Sequence, residues 1–163
     1  SYFVTGSFNS WGFEELTASY SAQGTYSTEV TLFRDVETFQ LARNQDWQQA
    51  IYPSQRNATG THADVLGPDD MGAGQFWQIR GKVGDIYSID FQRTMDESGF
   101  QTMVVTWRFV RNQRLDQSRL ESAQSLKYFL VGTWDSFRTK SQLEWDGTQY
   151  KAEMTVKGIE SFQ

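Results

Sequence analysis

Two tryptophans, Trp11 and Trp47, each follow a run of turn-forming residues, GSFNS at 6–10 and Asn44-Gln45-Asp46. An indole placed just after a turn has two uses. It folds back to cap a hydrophobic core, or it faces outward as a flat, rigid platform for a ligand. For Trp11 both readings stay open. Trp47, between a tight turn and a short apolar segment, reads as exposed.

Other residue types that could carry chemistry are placed unfavourably. Asp69-Asp70 and Glu14-Glu15 are adjacent acids on turns. A glycosidase needs two carboxyl groups facing each other across a cleft, about 5 or 6.5–9.5 Å apart. The segment GPDDMGAG at 67–74 lacks the Gly-Lys-Ser/Thr of a phosphate loop. Its glycines serve turns that need positive φ. His62 is the single histidine and there is no cysteine, so no His-based triad, thiol nucleophile, disulfide or metal site is expected. No catalytic residue and no cofactor are assigned. Asn57-Ala58-Thr59 is a glycosylation sequon, meaningful only in a secreted chain.

Composition narrows the partners. The net charge of −5 disfavours nucleic acid, which demands phosphate neutralisation, and Arg108, Arg111, Arg114 and Arg119 read as a solvated connector. No apolar run approaches the roughly 18 residues of a membrane span. The absence of cysteine leans towards an intracellular address, cytoplasmic or plastid.

The chain repeats itself. YFVTGSFNSW at 2–11 returns as YFLVGTWDSF at 128–137, TYSTEVTL at 25–32 as QYKAEMTV at 149–156, and ETFQ at 37–40 as ESFQ at 160–163. A period of roughly 125 residues is too long for a solenoid unit and matches a whole domain. The expectation is a module over 1–110, a linker or short helix over 111–126, and the first strands of a second, truncated copy over 127–163. The chain then reads as an excerpt of a longer tandem protein.

Within the module, alternation of period two predicts strands at Tyr2–Thr5, 25–32, 39–41, Ala50–Tyr52, Phe76–Arg80, Ile86–Phe91 and Met103–Val110, with an irregular stretch over 54–74. Met103, Val105, Trp107 and Phe109 share a face expected to meet Val30, Leu32, Phe39 and Leu41. About seven short strands without a convincing helix imply an all-β, immunoglobulin-like (early-set) antiparallel sandwich.

GSFNSW followed by FQLARNQDW at 39–47 resembles the family-48 carbohydrate-binding modules, the glycogen- and starch-binding domains that include the glycogen-binding domain of the AMP-activated protein kinase β-subunit. That family has G-S-F-N-x-W, then a strand of form Y-K-F, then a turn of form D-G-x-W. Phe39-Gln40-Leu41 takes the strand's place, and Asn44 to Trp47 the turn's. The resemblance covers about residues 2–53. It implies Trp11 and Trp47 as platforms separated across a groove, stacking on the apolar faces of an α-1,4-glucan. Gln40 stands at the family's sugar-binding lysine and keeps a donor without the charge. Asn44 and Asp46 become polar neighbours, and Leu66 the counterpart of a later ligand loop within Ala63–Gln75. Phe137 replaces Trp11 in the second copy, which implies weaker binding there.

The expected function is therefore non-catalytic binding of an α-glucan such as starch or glycogen. The alternative is a structural repeat that docks against neighbouring protein subunits in a large assembly, its sheet edges and aromatics covered by those neighbours. A regulatory role beside a kinase or phosphatase rests on analogy alone.

Overall fold

A computed structural model describes residues 1–163 apart from 61, 125–127, 136, 137, 139, 146–148, 156, 157, 159, 160 and 163. The strands are β1 (Tyr2–Gly6), β2 (Glu14–Glu15), β3 (Thr17–Ala18), β4 (Thr25–Thr31), β5 (Val36–Arg43), β6 (Asp46–Pro53), β7 (Val65–Asp69), β8 (Trp77–Arg80), β9 (Asp85–Met95) and β10 (Gln101–Asn112). They form two antiparallel sheets. The first runs β2-β1-β5-β6-β7, with β8 also paired to β5; the second runs β10-β9-β4-β3. The fold is an all-β sandwich.

Alternation builds the core between the sheets. Val4, Phe39, Leu41, Ile51, Trp77 and Ile79 of the first sheet are buried, as are Val30, Ile89, Phe91 and Val105 of the second. Tyr2 of β1 bridges the layers, its ring 4.9 Å from Phe91 and 4.8 Å from Tyr26 in edge contacts. At the other end of the core Phe39 stacks on Trp77 at 5.3 Å and takes the edge of Trp107 at 5.7 Å. Among the described residues, one buried side-chain hydroxyl, Thr5 Oγ1, has no hydrogen-bond partner.

Three local expectations are corrected. Phe109 keeps the face of Val105 and Trp107 but is 53% exposed. It lies near the end of β10, an edge strand, in a T-shaped contact with the Tyr87 ring at 5.9 Å. The stretch 54–74 contains strand β7, which accepts Gly67-Pro68 because it is the sheet edge, where a missing N–H costs no ladder bond. Short β2 and β3 add to the expected strands, their acids Glu14 and Glu15 lying exposed.

Helix α1 (Gln117–Gln124) follows β10. It is tied to the β4–β5 turn, where Arg34 Nη2 donates to Ala123 O at 2.8 Å and Gln124 Nε2 donates to Phe33 O at 2.7 Å. Beyond it come β11 (Phe129–Leu130), β12 (Ser141–Gln142), β13 (Glu144–Trp145) and β14 (Tyr150–Lys151). β11 pairs antiparallel with β12 as β1 does with β2. A 3-10 turn separates the strands of each pair, Ser7–Asn9 in one and Thr133–Asp135 in the other. The N–H of Leu16 donates to Tyr2 O at 2.8 Å, and that of Leu143 to Tyr128 O at 2.8 Å. Among the described residues of the expected β4 counterpart at 149–156, Tyr150–Lys151 forms the strand. Phe137 lies outside the described residues.

Two stability outcomes follow from this packing. Phe91→Ala removes a fully buried ring and should cost about 3–5 kcal/mol in urea unfolding. Acid sensitivity has a named source as well. Asp85 accepts the Lys82 N–H at 2.8 Å and the Asn112 Nδ2 at 2.7 Å, and these bonds, the backbone one foremost, hold its carboxyl below the usual aspartate value. Such a group stabilises the fold above its unfolded pKa of about 4 and loses that contribution as pH falls through the lower folded value. The melting temperature should drop as pH falls below about 4. Asp85→Asn should flatten that drop in part, since Asp96 and Glu29 are lowered too.

Candidate binding groove

β5 is central to the first sheet. Phe39 and Leu41 face the core, so Gln40 and Ala42 face outward, yet all four are buried. Something must cover the outer face, and three pieces of chain do.

The first is the turn after β1. Ser7 Oγ donates to the buried Glu37 carboxylate and accepts the Thr38 N–H at 2.9 Å, while Glu37 also accepts the Phe33 N–H at 3.1 Å and lies 3.6 Å from Arg34. A buried carboxylate is tolerated because these partners replace water. Gly6 is required there by close approach: a Cβ would meet Thr38 O at 2.6 Å. The turn closes with Asn9 Oδ1 accepting the Gly6 N–H at 2.9 Å and Gly6 O accepting the Trp11 N–H at 2.8 Å. Ser10 and Trp11 both take left-handed backbone, φ 54° and 60°. That conformation costs an L-residue about 1–2 kcal/mol, and it aims the Trp11 indole over β5.

The second is the β5–β6 hairpin. Asn44 and Gln45 have φ 58° and 55°, the geometry of a two-residue turn whose twist suits the strands. Arg43 pairs with Asp46, but Ala42 already pairs with Ala50, so Trp47, Gln48 and Gln49 bulge without partners on β5. Asp46 Oδ1 accepts the Gln48 N–H at 2.9 Å and fixes that bulge. Bulges re-aim side chains, and this one brings Trp47 beside Trp11.

The third is the loop from Asp70 to Phe76. Gln40 Nε2 donates to Gly72 O at 2.5 Å and to Gln75 O at 2.6 Å. Two carbonyl partners settle which end of the amide points there. Tyr52 packs its ring on Gly72, where a Cβ would come within 2.6 Å, and its hydroxyl donates to Asp69 Oδ1 at 2.7 Å. Burial, with the Asp69 hydrogen bond, pushes the Tyr52 phenol up to about 12.

Together these pieces enclose a groove of about 610 Å³. A row of three rings borders it: Phe76 lies 5.0 Å from Trp11 and Trp11 lies 6.5 Å from Trp47, while Phe13, outside the lining, backs Trp47 at 5.2 Å. Gln40, Gln48, Ala50, Asp70 and Gly72 add lining, and Phe129, Val131 and Lys140 approach from the downstream chain.

Of the expected residues, Trp11, Gln40 and Trp47 line the groove and Asn44, Asp46 and Leu66 do not. Asn44 and Asp46 serve the hairpin, and Leu66 sits 41% exposed on edge strand β7. The two indoles are neighbours rather than separated platforms, and Trp47, expected to be exposed, is half-buried between Phe13 and Trp11. Gln40 has committed both amide hydrogens to main chain, which leaves its oxygen for a ligand. Phe76 was not singled out as a site residue from sequence, and of the expected ligand loop within Ala63–Gln75 it is Gly72–Gly74 rather than Leu66 that lines the groove. The signal available was the turn-rich GPDDMGAG running into an aromatic residue. His62 is exposed, and among the described residues no group of three or more His, Asp or Glu could hold a metal ion.

Gln40→Leu leaves the half-buried Gln75 carbonyl without the Gln40 donor and leaves the buried Gly72 carbonyl only the Gln75 N–H at 3.1 Å. It should destabilise the protein by about 1–3 kcal/mol. Amide hydrogen exchange should rise selectively over Gly72–Gln75; unchanged exchange there would mean that the loop is held by other contacts. No family model matches this chain, and no curated protein matches it. A solved structure described as the ligand-induced structure of AmyP-SBD is similar over 64% of this chain and 70% of its own, at 16% identity and a TM-score of 0.38.

Proposed function

We propose that this chain is a non-catalytic carbohydrate-binding module that takes an α-glucan in the groove at Trp11 and Trp47. The observation that carries the reading is the row of half-buried rings beside the backbone and amides of Gln48 and Gly72. The apolar C–H face of a pyranose stacks on indole, while its rim hydroxyls need donors and acceptors beside the ring. The resemblance of GSFNSW and FQLARNQDW to glycogen- and starch-binding modules supports the same ligand. Asp70 is the one carboxylate among the described lining residues, whereas glycoside hydrolysis uses a pair.

The module belongs, in this reading, to a tandem array. The sequence echo supports that, as do the two strand–turn–strand segments with matching Leu16–Tyr2 and Leu143–Tyr128 bonds. A second reading, a scaffold whose groove is an interface between protein units, is favoured by one observation: Phe129, Val131 and Lys140 of the same chain already line that groove.

Calorimetric titration with a maltooligosaccharide such as maltoheptaose separates the two. Trp11→Ala and Trp47→Ala should each weaken the complex by about 1–3 kcal/mol, taking base–aromatic stacking as the nearest analogue. Affinity for this neutral ligand should hardly change between low and high salt, because few charges are screened. Absence of binding by the intact chain would sink the carbohydrate reading and leave the scaffold.

A further inference from the structure

The groove is not walled by the sandwich alone. After β10 comes α1, which is tied to Phe33 and Arg34, and then the β11–β12 pair, whose Phe129 joins Gln40 and Ala50 in lining the groove. Lys140 Nζ donates to the carbonyl of Ser10, the left-handed residue that aims Trp11. The same ammonium sits 4.4 Å from the centroid of Phe129, a cation–π contact that holds Phe129 and Lys140 together. Phe129 and Val131 therefore stand as an apolar wall facing the indoles.

From this arrangement we infer that the ligand site is composite: Phe129, Val131 and Lys140 form its second wall, and a glucan binds between these residues and the sandwich. The inference rests on the glucan reading and deepens it. Size decides between a wall and a plug. With the segment in place about 610 Å³ remains open, within the roughly 300–1,000 Å³ typical of small-ligand sites. A plug would have filled it. Chemistry agrees with size, because a pyranose has two apolar faces and a row of indoles covers only one of them. Phe129 and Val131 offer the other face a surface, and Lys140 and Asp70 bring polar groups to the rim. Binding would then depend on how the downstream segment sits, which links occupancy of the groove to the geometry of the chain beyond α1.

The test uses the whole chain labelled with 5-fluorotryptophan, each of the six tryptophan resonances being assigned by a Trp→Phe substitution. Val131→Asp puts a charge into the apolar wall. It should move the Trp11 and Trp47 signals, leave Trp77 and Trp107 in place, and weaken maltoheptaose binding about fivefold or more. Lys140→Gln should act in the same direction more weakly, and it provides both readouts if Val131→Asp disturbs the core signals. Unmoved Trp11 and Trp47 signals in both variants overturn the wall. Moved signals with tighter maltoheptaose binding overturn the composite site and make the segment a competitor. If the signals move but the unsubstituted chain binds no maltoheptaose, the contact stands, and both the glucan reading and the composite sugar site fall.

Discussion

A single amide on the central strand must give both of its hydrogens to carbonyls from a loop more than thirty residues away, and the groove exists because it does. Gln40 is outward by alternation and buried by consequence, so its Nε2 has no water to fall back on. The carbonyls of Gly72 and Gln75 are the compensation, and accepting those bonds fixes the loop over β5. With the loop fixed, Phe76 meets Trp11 and the row of rings is complete. Tyr52 secures the other side of the loop, which leaves no room for a Cβ at position 72.

The two tryptophans reach that row by different local devices. Trp11 depends on a left-handed backbone that the Ser7–Glu37 link and the Gly6–Asn9 closure hold in place. Trp47 depends on a three-residue bulge, stabilised by an aspartate that caps the following N–H. The first device is anchored by Phe8, which the same turn buries in the core. Both devices spend conformational freedom to point an indole at one place, the pattern expected where a surface is shaped for contact rather than for stability.

The sandwich was legible because alternation survives the outward burial: Tyr26 to Leu32, Phe39 and Leu41, and Met103 to Trp107 fall on the faces their spacing implies. The tryptophans were legible because turn residues precede them. What could not be read was the outer layer. Gln40 looked like a solvent-facing donor, since nothing local announces that Gly72 and Gln75 will take its hydrogens. Asn44 and Asp46 looked like ligand contacts because hairpin chemistry and ligand chemistry use the same residue types. Leu66 was placed by analogy with a loop, whereas the sequence there pairs as an edge strand. Each miss concerns a contact made across long sequence separation or a residue type with two uses.

An open groove rimmed by the rings of Trp11, Trp47 and Phe76 exposes apolar surface that water disfavours, at roughly 25 cal/mol for each Å² left uncovered. Such a surface invites association with whatever apolar face is near. Here the chain supplies that face itself, since Phe129 and Val131 arrive opposite the rings while Lys140 anchors the approach on Ser10. Covering without filling reconciles two demands that conflict in a free-standing module: the rings are shielded from indiscriminate contacts, and space remains for a flat ligand with two apolar faces. The same logic makes the sugar and scaffold readings less opposed than they first look. On the glucan proposal, a wall contributed by downstream chain is an interface when the groove is empty and half of a binding site when it is full.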